Sequence, residues 1–530
     1  MVLPLNITIA QLNPTVGALH GNFGKIRAVR DQNKSADIIV YPEMITTGYP
    51  TDDLVLNPYF MDRVEYHIKE LAQETTSPAL LISTPWRQDG KLFNAALLIA
   101  EGKILSVTSK YHLPNYGVFD EKRIFARGPL PEPVDFKGHK LGVMICEDMW
   151  FPDVSSHLKK KGAEIFIVPN GSPYQTDIQQ QRQAQAAARV KENKIPLVYV
   201  NQIGGQDELV FDGGSFLMND KAERVHTLPL FEECICDSKD THTQTRLDKN
   251  EEVYKAVTVG LKDYVLKNNF PGVLIGLSGG IDSALSAAIA VDALGADKVH
   301  CVMMPSPYTS QESLDDAQAC ANALGVTLDT ISIEPAMAAF GDMLEEHTDE
   351  KNPGTTFENI QSRARGMILM ALSNATGKMV LSTGNKSEMA VGYATLYGDM
   401  CGGFNALKDL YKTQVYALSK WRNTVSEVIP ENIIAKAPSA ELKPDQTDQD
   451  TLPPYDILDE ILESLIEKDM APQDIPHDQN TVLKIWEMLD RAEYKRRQAP
   501  PGVKITARAF GRNRRYPITN GFFKSSGTST

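Results

Sequence analysis

The sequence predicts two α/β domains: a layered α/β unit first, then a unit built on a doubly wound parallel sheet. Three observations carry this. Strand-like and helix-like segments alternate through residues 1–245, the pattern of a layered α/β domain. A polar stretch, Lys239 to Glu251, has no apolar period and reads as a linker. Beyond it, an apolar strand at 272–275 runs into a glycine turn and a small-residue helix, Ala284 to Leu294, and strand and helix then alternate again, the order of a parallel doubly wound sheet. The length of 530 residues exceeds one ordinary core and fits roughly two to four domains. The expected domains are 1–245 and 246–530.

In the first domain, Leu5 to Ala10 alternates apolar and polar residues as a strand does, and Asn22 to Asn33 can form a helix. Ile38 to Val40 is a short buried strand, and Asp62 to Gln73 is helical in pattern. Strands follow at Leu80–Ile82, Ala95–Ala100 and Lys103–Ser109. Leu141 to Ile145 and Ile165 to Val168 are strands around a helix at Val154 to Lys161. Ile178 to Asn193 is a long Gln/Ala/Arg helix, and Leu197 to Val200 a further strand. Three reactive residues fall at the ends of these strands: Glu43 in Tyr-Pro-Glu, Lys110 in Ser-Lys-Tyr-His-Leu-Pro, and Cys146 in Cys-Glu-Asp-Met-Trp. Strand ends open into the loops that carry function in α/β enzymes. A cysteine nucleophile needs its proton removed, which a carboxylate can do. A lysine can steady the thiolate and then the oxyanion of a tetrahedral intermediate. Together they suit amide hydrolysis through a thioester.

These three motifs, in this order, resemble the nitrilase (carbon–nitrogen hydrolase) superfamily over residues 3 to 240. The resemblance implies an αββα sandwich and a Glu43–Lys110–Cys146 triad, with Glu121 as an extra carboxylate beside it. Within the superfamily the chain is most similar to glutaminase domains, which implies glutamine contacts from Tyr116 and from Ser172 in Asn-Gly-Ser-Pro-Tyr. Relatives commonly carry a basic residue where this chain has Ile178. Arg182, one helical turn on, is then the candidate for the amino acid carboxylate.

The second domain turns on Gly276-Leu277-Ser278-Gly279-Gly280-Ile281-Asp282-Ser283. A glycine turn between strand and helix aims backbone N–H groups and a helix N-terminus at one point, which suits a phosphate. The glycines admit the anion closely. Asp282 is out of place beside phosphates unless it holds a metal ion. No Gly-Lys-Ser/Thr follows, so this is not a Walker A loop. It resembles the pyrophosphate loop of the N-type ATP pyrophosphatases, which split ATP into AMP and pyrophosphate to activate a carboxylate or carbonyl.

After the loop, Lys298–Met304 and Val326–Ile333 read as strands and Gln311–Leu324 as a helix. Asn359 to Arg365 opens a helix whose two arginines, Arg363 and Arg365, lie on different faces; one can reach a ligand while the other stays at the surface. Strand, turn and helix start follow at 379–388, with Thr383 at the strand end and Glu388 able to join Asp282 around magnesium. Here the second half resembles the NAD synthetase family, over about residues 250 to 515. The resemblance places ATP on the 276–283 loop, Thr383, Lys412 and Ser439, deamido-NAD on Asn359, Arg363, Glu388 and Lys495, and Mg2+ on Asp282 and Glu388. The segment 393–412 is similar to the glutamine-dependent type, because ammonia-only relatives place a basic residue near Leu396. The expected substrates are thus glutamine, ATP and deamido-NAD, with ammonia passing uncharged along a protected route. A homodimer or larger assembly is expected from the family.

Composition bounds the rest. A net charge of −14 disfavours nonspecific nucleic-acid binding, although nine Lys/Arg and one acid lie between Arg491 and Arg515. No apolar run reaches the length of a membrane span. The start, Met1 to Thr8, has no basic n-region, so no signal peptide is expected. Six cysteines without Cys-x-x-Cys or zinc spacing point to the reducing cytoplasm. The polar, proline-rich stretch Pro444 to Pro454 is expected to be a mobile loop, and the tail from Lys524 to be disordered. Two alternatives stay open on these residues: glutamine-fed amidation of a different acceptor, and a nucleotide-binding sensor with an inactive first domain.

Overall fold

The computed structural model describes residues 3–240, 247–348, 354–443 and 446–525. Residues 241–246 of the expected linker, 444–445 of the proline-rich stretch and 526–530 of the tail lie outside the described residues. The chain divides into two compact units, Met1–Arg246 and Leu247–Thr530.

The first unit stacks two six-stranded sheets. One runs in the order Cys234–Asp237, Ile7–Gln11, Ile38–Val40, Ala79–Gln88, Lys91–Ala100, Lys103–Ser109. The other runs Arg224–Thr227, Phe216–Met218, Leu197–Asn201, Ile165–Asn170, His139–Val143, Val134–Phe136. Side chains of a strand point alternately to opposite faces, and the burial follows that rule. Ile7, Ile9, Val40, Leu81 and Leu98 of the first sheet form one core with Leu141, Val143, Ile165, Ile167, Val198 and Val200 of the second. The other face of the first sheet, with Ile39, Leu80 and Ile82, is covered by Phe23, Ile26 and Val29 of helix Leu19–Gln32 and by Val64, Ile68 and Leu71 of helix Pro58–Glu74. The outer face of the second sheet, with Phe166, Val168 and Tyr199, is covered by Val154 and Leu158 of helix Pro152–Lys160 and by Ala186 and Val190 of helix Ile178–Asn193. The layers are therefore α, β, β, α, as the sequence leads one to expect.

The second unit holds a five-stranded, all-parallel sheet in the order Thr327–Thr330, Val299–Met303, Val273–Gly276, Met379–Ser382, Phe404–Asn405. In chain order this is 3-2-1-4-5, so the winding reverses beside strand Val273–Gly276. That reversal opens a crevice at the carboxyl ends of the strands, where such sheets bind ligands. Helices Lys249–Lys267, Ile281–Leu294 and Lys412–Val425 pack together. Helix Thr356–Thr376 contributes Ala364 and Leu369 to a core with Leu274, Val302 and Val380. A helical subassembly around Leu458, Leu462, Ile485 and Leu489 follows.

One expectation is corrected here. Cys146 does not end a strand: that strand stops at Val143, and Cys146 opens a one-turn 3-10 helix, Cys146–Trp150. The described part of the proline-rich stretch contains a short 3-10 turn, Asp448–Asp450, whose Asp448 is buried.

Candidate functional site

The first unit gathers Glu43, Lys110 and Cys146 in its interior. Glu43 lies just past strand Ile38–Val40, and Lys110 directly follows strand Lys103–Ser109. The ammonium of Lys110 donates to Glu43 Oε1 at 2.8 Å and to Glu121 Oε1 at 3.0 Å. The side chains of Lys110 and Glu43 have no exposed surface, so this is an ion cluster out of water. Buried charges persist only when paired and hydrogen-bonded, and the pairing is thorough. Glu43 also accepts from Asn94 Nδ2 at 2.7 Å and from the Gly171 amide at 2.8 Å. Glu121 accepts from the Tyr49 hydroxyl at 3.0 Å.

Cys146 has φ +46, a left-handed backbone that a cysteine enters only when its surroundings demand it. Asp148 supplies that demand. It accepts from the Ile145 amide at 3.0 Å and from the Tyr111 and His112 amides at 3.1 and 2.7 Å. One carboxylate thus fixes both the cysteine turn and the loop after Lys110.

Burial pushes the Cys146 thiol well above its usual range, Glu43 adds to the rise, and Lys110 opposes it. The thiol therefore rests protonated. Burial alone would lower Lys110, but the carboxylates of Glu121 and Glu43 outweigh it and hold the ammonium charged. Burial raises Glu121 to about 7, against the pull of Lys110. A protonated thiol, an adjacent carboxylate and a fixed ammonium can perform general-base-assisted nucleophilic attack on a neutral carbonyl.

The residues expected to hold glutamine separate into three cases. Tyr116 is exposed, and its hydroxyl donates to both oxygens of Glu147 at 3.0 Å. Ser172 is buried, its hydroxyl accepting from Arg182 Nε at 3.0 Å and pairing with Tyr199. Arg182 overturns its expected role. Its guanidinium is buried and donates to both Asp212 oxygens at 2.7 and 2.9 Å, and to the Ser172 and Pro173 carbonyls at 2.7 and 2.8 Å. With its charge and donors spent inside the protein, it braces the Ser172 loop rather than meeting a substrate carboxylate.

The second unit carries a cavity of about 490 Å³ at the sheet reversal. Its floor is the 276–283 loop, between strand Val273–Gly276 and helix Ile281–Leu294. Gly279 has φ +83, and a Cβ there would lie 2.4 Å from the Ser313 carbonyl, so only glycine fits. The Ser283 hydroxyl accepts from the Ser278 amide at 3.2 Å and donates to the Gly280 carbonyl at 2.9 Å, which fixes the turn.

Thr383, Glu388, Lys412, Ser439, Asn359 and Lys495 line the same cavity. Lys495 donates to the Gly392 and Ala394 carbonyls at 2.7 Å each. Asn359 accepts from the Thr395 hydroxyl at 2.8 Å. Arg363 is the exception: it is exposed, bonds the Leu396 carbonyl at 3.2 Å, and is not among the lining residues, whereas Arg365 is. The two arginines do face differently, and Arg365 is the one turned to the cavity. Most of the basic C-terminal stretch is spent structurally, Arg496 and Arg497 on Glu493 and Arg514 over the Tyr516 ring.

Asp282 and Glu388 meet at Lys412. Its ammonium pairs with Asp282 Oδ2 and lies 3.4 Å from Glu388 Oε1. Asn385 holds the remaining oxygens, its amide side chain donating to Asp282 Oδ1 at 2.8 Å and its backbone N–H to Glu388 Oε2 at 3.3 Å. Two carboxylates oriented on one point by a common partner form a donor set that fits a divalent cation. Burial and Asp282 raise Glu388 to about 8, against Lys412.

Sequence reasoning missed Asn94, Asp148, Asn385, Asp399 and Asp448. Asp399 lines the cavity and burial raises it to about 6. Asn385 had a readable signal, since Asn385-Lys-Ser-Glu388 forms a capping box. Asn94, and the bonds of Asp148 to the loop after Lys110, become visible only through long-range contacts.

A buried Cys/Glu/Lys hydrolase centre and a nucleotide-type phosphate cavity on one chain define an ATP-dependent amidotransferase class of protein. Family models agree: carbon-nitrogen hydrolase matches residues 6–241 and NAD synthase residues 253–499. The chain is 47% identical over 540 residues to a glutamine-dependent NAD(+) synthetase of Rhodobacter capsulatus, covering 97% of this chain and 98% of the relative. It is 44% identical to that of Acinetobacter baylyi, covering 97% and 98%. Among solved structures, the glutamine-dependent NAD+ synthetase of Acinetobacter baumannii, in complex with ADP, matches at 41% identity with a TM-score of 0.79, covering 98% of this chain and 99% of that one. The chain belongs to the glutamine-dependent NAD(+) synthetases.

Proposed function

We propose that this chain forms NAD from deamido-NAD, with ATP as the driving force and glutamine as the nitrogen source. The observation that carries the reading is the presence, on one chain, of a complete Glu43–Lys110–Cys146 cluster and of the 276–283 phosphate cradle, whose Asp282 meets Glu388 at Lys412.

In the first unit, Cys146 Sγ attacks the side-chain amide carbon of glutamine. Because the thiol rests protonated, Glu43 takes its proton during the attack and returns it to the departing ammonia. Lys110, held charged between Glu43 and Glu121, donates to the oxyanion. Water activated by Glu43 then cleaves the thioester and releases glutamate. Tyr116 and Ser172 contact glutamine, and Arg182 sets the position of Ser172.

In the second unit, the nicotinate carboxylate of deamido-NAD attacks the α-phosphorus of ATP. Pyrophosphate leaves into the cradle of Gly276, Leu277, Ser278, Gly279, Gly280, Ile281, Asp282 and Ser283, with Thr383, Lys412 and Ser439 also on the ATP side. Asn359, Arg365, Glu388 and Lys495 face the dinucleotide. Ammonia displaces AMP from the adenylate and yields the amide. Asp282 and Glu388 would hold Mg2+, which neutralises phosphate charge when bound. The synthetase unit is proposed to act in a homodimer or larger assembly, and the chain in a reducing, cytoplasmic setting, which its six free cysteines support.

The test is direct. The pure protein given glutamine, ATP and deamido-NAD should release NAD, AMP, pyrophosphate and glutamate; ATP cleavage to AMP without NAD would point to another acceptor and overturn this reading.

A further inference from the structure

Lys412 occupies an unusual position for a residue expected to contact ATP. The two carboxylates beside it are each divided in function. Asp282 Oδ1 and Glu388 Oε2 are held by Asn385, through its side-chain amide and its backbone N–H. The other oxygens, Asp282 Oδ2 and Glu388 Oε1, converge on the Lys412 ammonium. Lys412 is itself buried, with its ammonium 5.3 Å from the centre of the Tyr455 ring. Tyr455 donates to Asp448 Oδ2 at 2.8 Å. Asp448 is 4% exposed, lines the same cavity, and is also hydrogen-bonded to the Tyr393 side chain. Three carboxyl groups, Asp282, Glu388 and Asp448, thus stand close to one ammonium.

We propose that Lys412 serves as the counter-ion of Asp282 and Glu388 until nucleotide enters, and that a divalent cation then takes its place while the ammonium turns to the phosphates. The proposal rests on the reading that the cation is held by Asp282 and Glu388. Its reasoning is electrostatic. An ammonium and a divalent cation cannot share one pair of carboxylate oxygens, because like charges at contact in a buried site repel strongly. A cation arriving alone must displace Lys412 and leave the ammonium buried with no partner of equal value. A cation arriving with nucleotide brings phosphate oxygens, and the displaced ammonium is paired again. The site therefore takes its cation together with ATP and resists the cation alone.

The test uses Mn2+ as the probe and electron paramagnetic resonance of free Mn2+ as the readout, on the full-length protein without turnover. Wild type should bind Mn2+ at least about tenfold more tightly with a non-hydrolysable ATP analogue than without it. Lys412→Met and Lys412→Gln should bind Mn2+ without nucleotide at least about tenfold more tightly than wild type, because the internal counter-ion is gone. Lys412→Arg, which keeps the charge, should not. Thermal melting of each variant checks that the fold is retained, and two neutral replacements guard against loss of one. Equal affinity of wild type and both neutral variants for Mn2+ alone would overturn the proposal. Adding Asp282→Asn to Lys412→Met should abolish the gain. If the gain survives in that double variant, the cation binds elsewhere and the reading of Asp282 and Glu388 fails instead.

Discussion

The two sites of this chain handle buried charge in opposite ways. In the first unit, Glu43, Lys110 and Glu121 are locked by Asn94, Tyr49 and the Gly171 amide, and their side chains have almost no exposed surface. In the second, Asp282, Glu388 and Lys412 stand on the wall of a cavity of about 490 Å³ and pair with one another. The difference follows the substrates. An amide is small and neutral, so a fixed set of charges can be completed before it arrives, and preorganisation costs nothing at the moment of reaction. A nucleotide brings several negative charges of its own, so the cavity must hold charges that can change partners.

Variants that remove charge test this contrast. Asp282→Asn acts on the exchangeable site. It should lower NAD formation, with either glutamine or ammonium as nitrogen source, by about 10²-fold or more, while glutamate release from glutamine persists. Equal loss of both activities in a folded protein would mean that the sites are not separable in this way.

Arg182→Met acts on the locked unit. It leaves Asp212 buried without its bidentate partner, and breaking a buried pair in this way costs about 3–5 kcal/mol. The expected outcome is a marked fall in unfolding free energy in denaturant. A variant as stable as wild type that loses only affinity for glutamine would restore Arg182 to substrate binding.

The smallest effect concerns pH. Glu121 rises from 4.5 to about 7 on burial. A carboxyl with a raised pKa stabilises the fold below its unfolded value and loses that contribution as pH climbs through the folded value. Wild type should therefore lose stability relative to Glu121→Gln between pH 4.5 and 7, by at most about 1.4 kcal/mol per pH unit. A difference that stays flat or widens in favour of wild type would show that Lys110 outweighs the burial of Glu121.

How much of this was legible in the sequence depends on distance along the chain. The helix Ile178–Asn193 and the helix Gln311–Leu324 have the bounds their periodicity gives, because period and caps are local. The short strands Ile203–Gln206, Leu209–Asp212, Phe216–Met218 and Arg224–Thr227 escaped notice, since three or four residues show no reliable alternation. Local motifs led to the residues that cluster at both sites, and Gly279 shows why: its turn and the close Ser313 carbonyl demand that residue type. Arg182 was misread because its partner Asp212 lies 30 positions away. Opposite faces for Arg363 and Arg365 followed from helix geometry, but which face met the cavity depended on the sheet beneath. Asp148 bonds the Ile145 amide locally, but its reach to the Lys110 loop, 36 and 37 positions away, has no local signature.

The central claim is that one unit frees ammonia and the other consumes it. It is tested by Cys146→Ala, assayed for NAD formation with glutamine and, separately, with a saturating ammonium salt. Glutamine-dependent synthesis should fall by about 10⁴-fold or more, and ammonium-dependent synthesis should remain near the wild-type rate. Loss of both in a folded protein, or survival of both, would contradict the account.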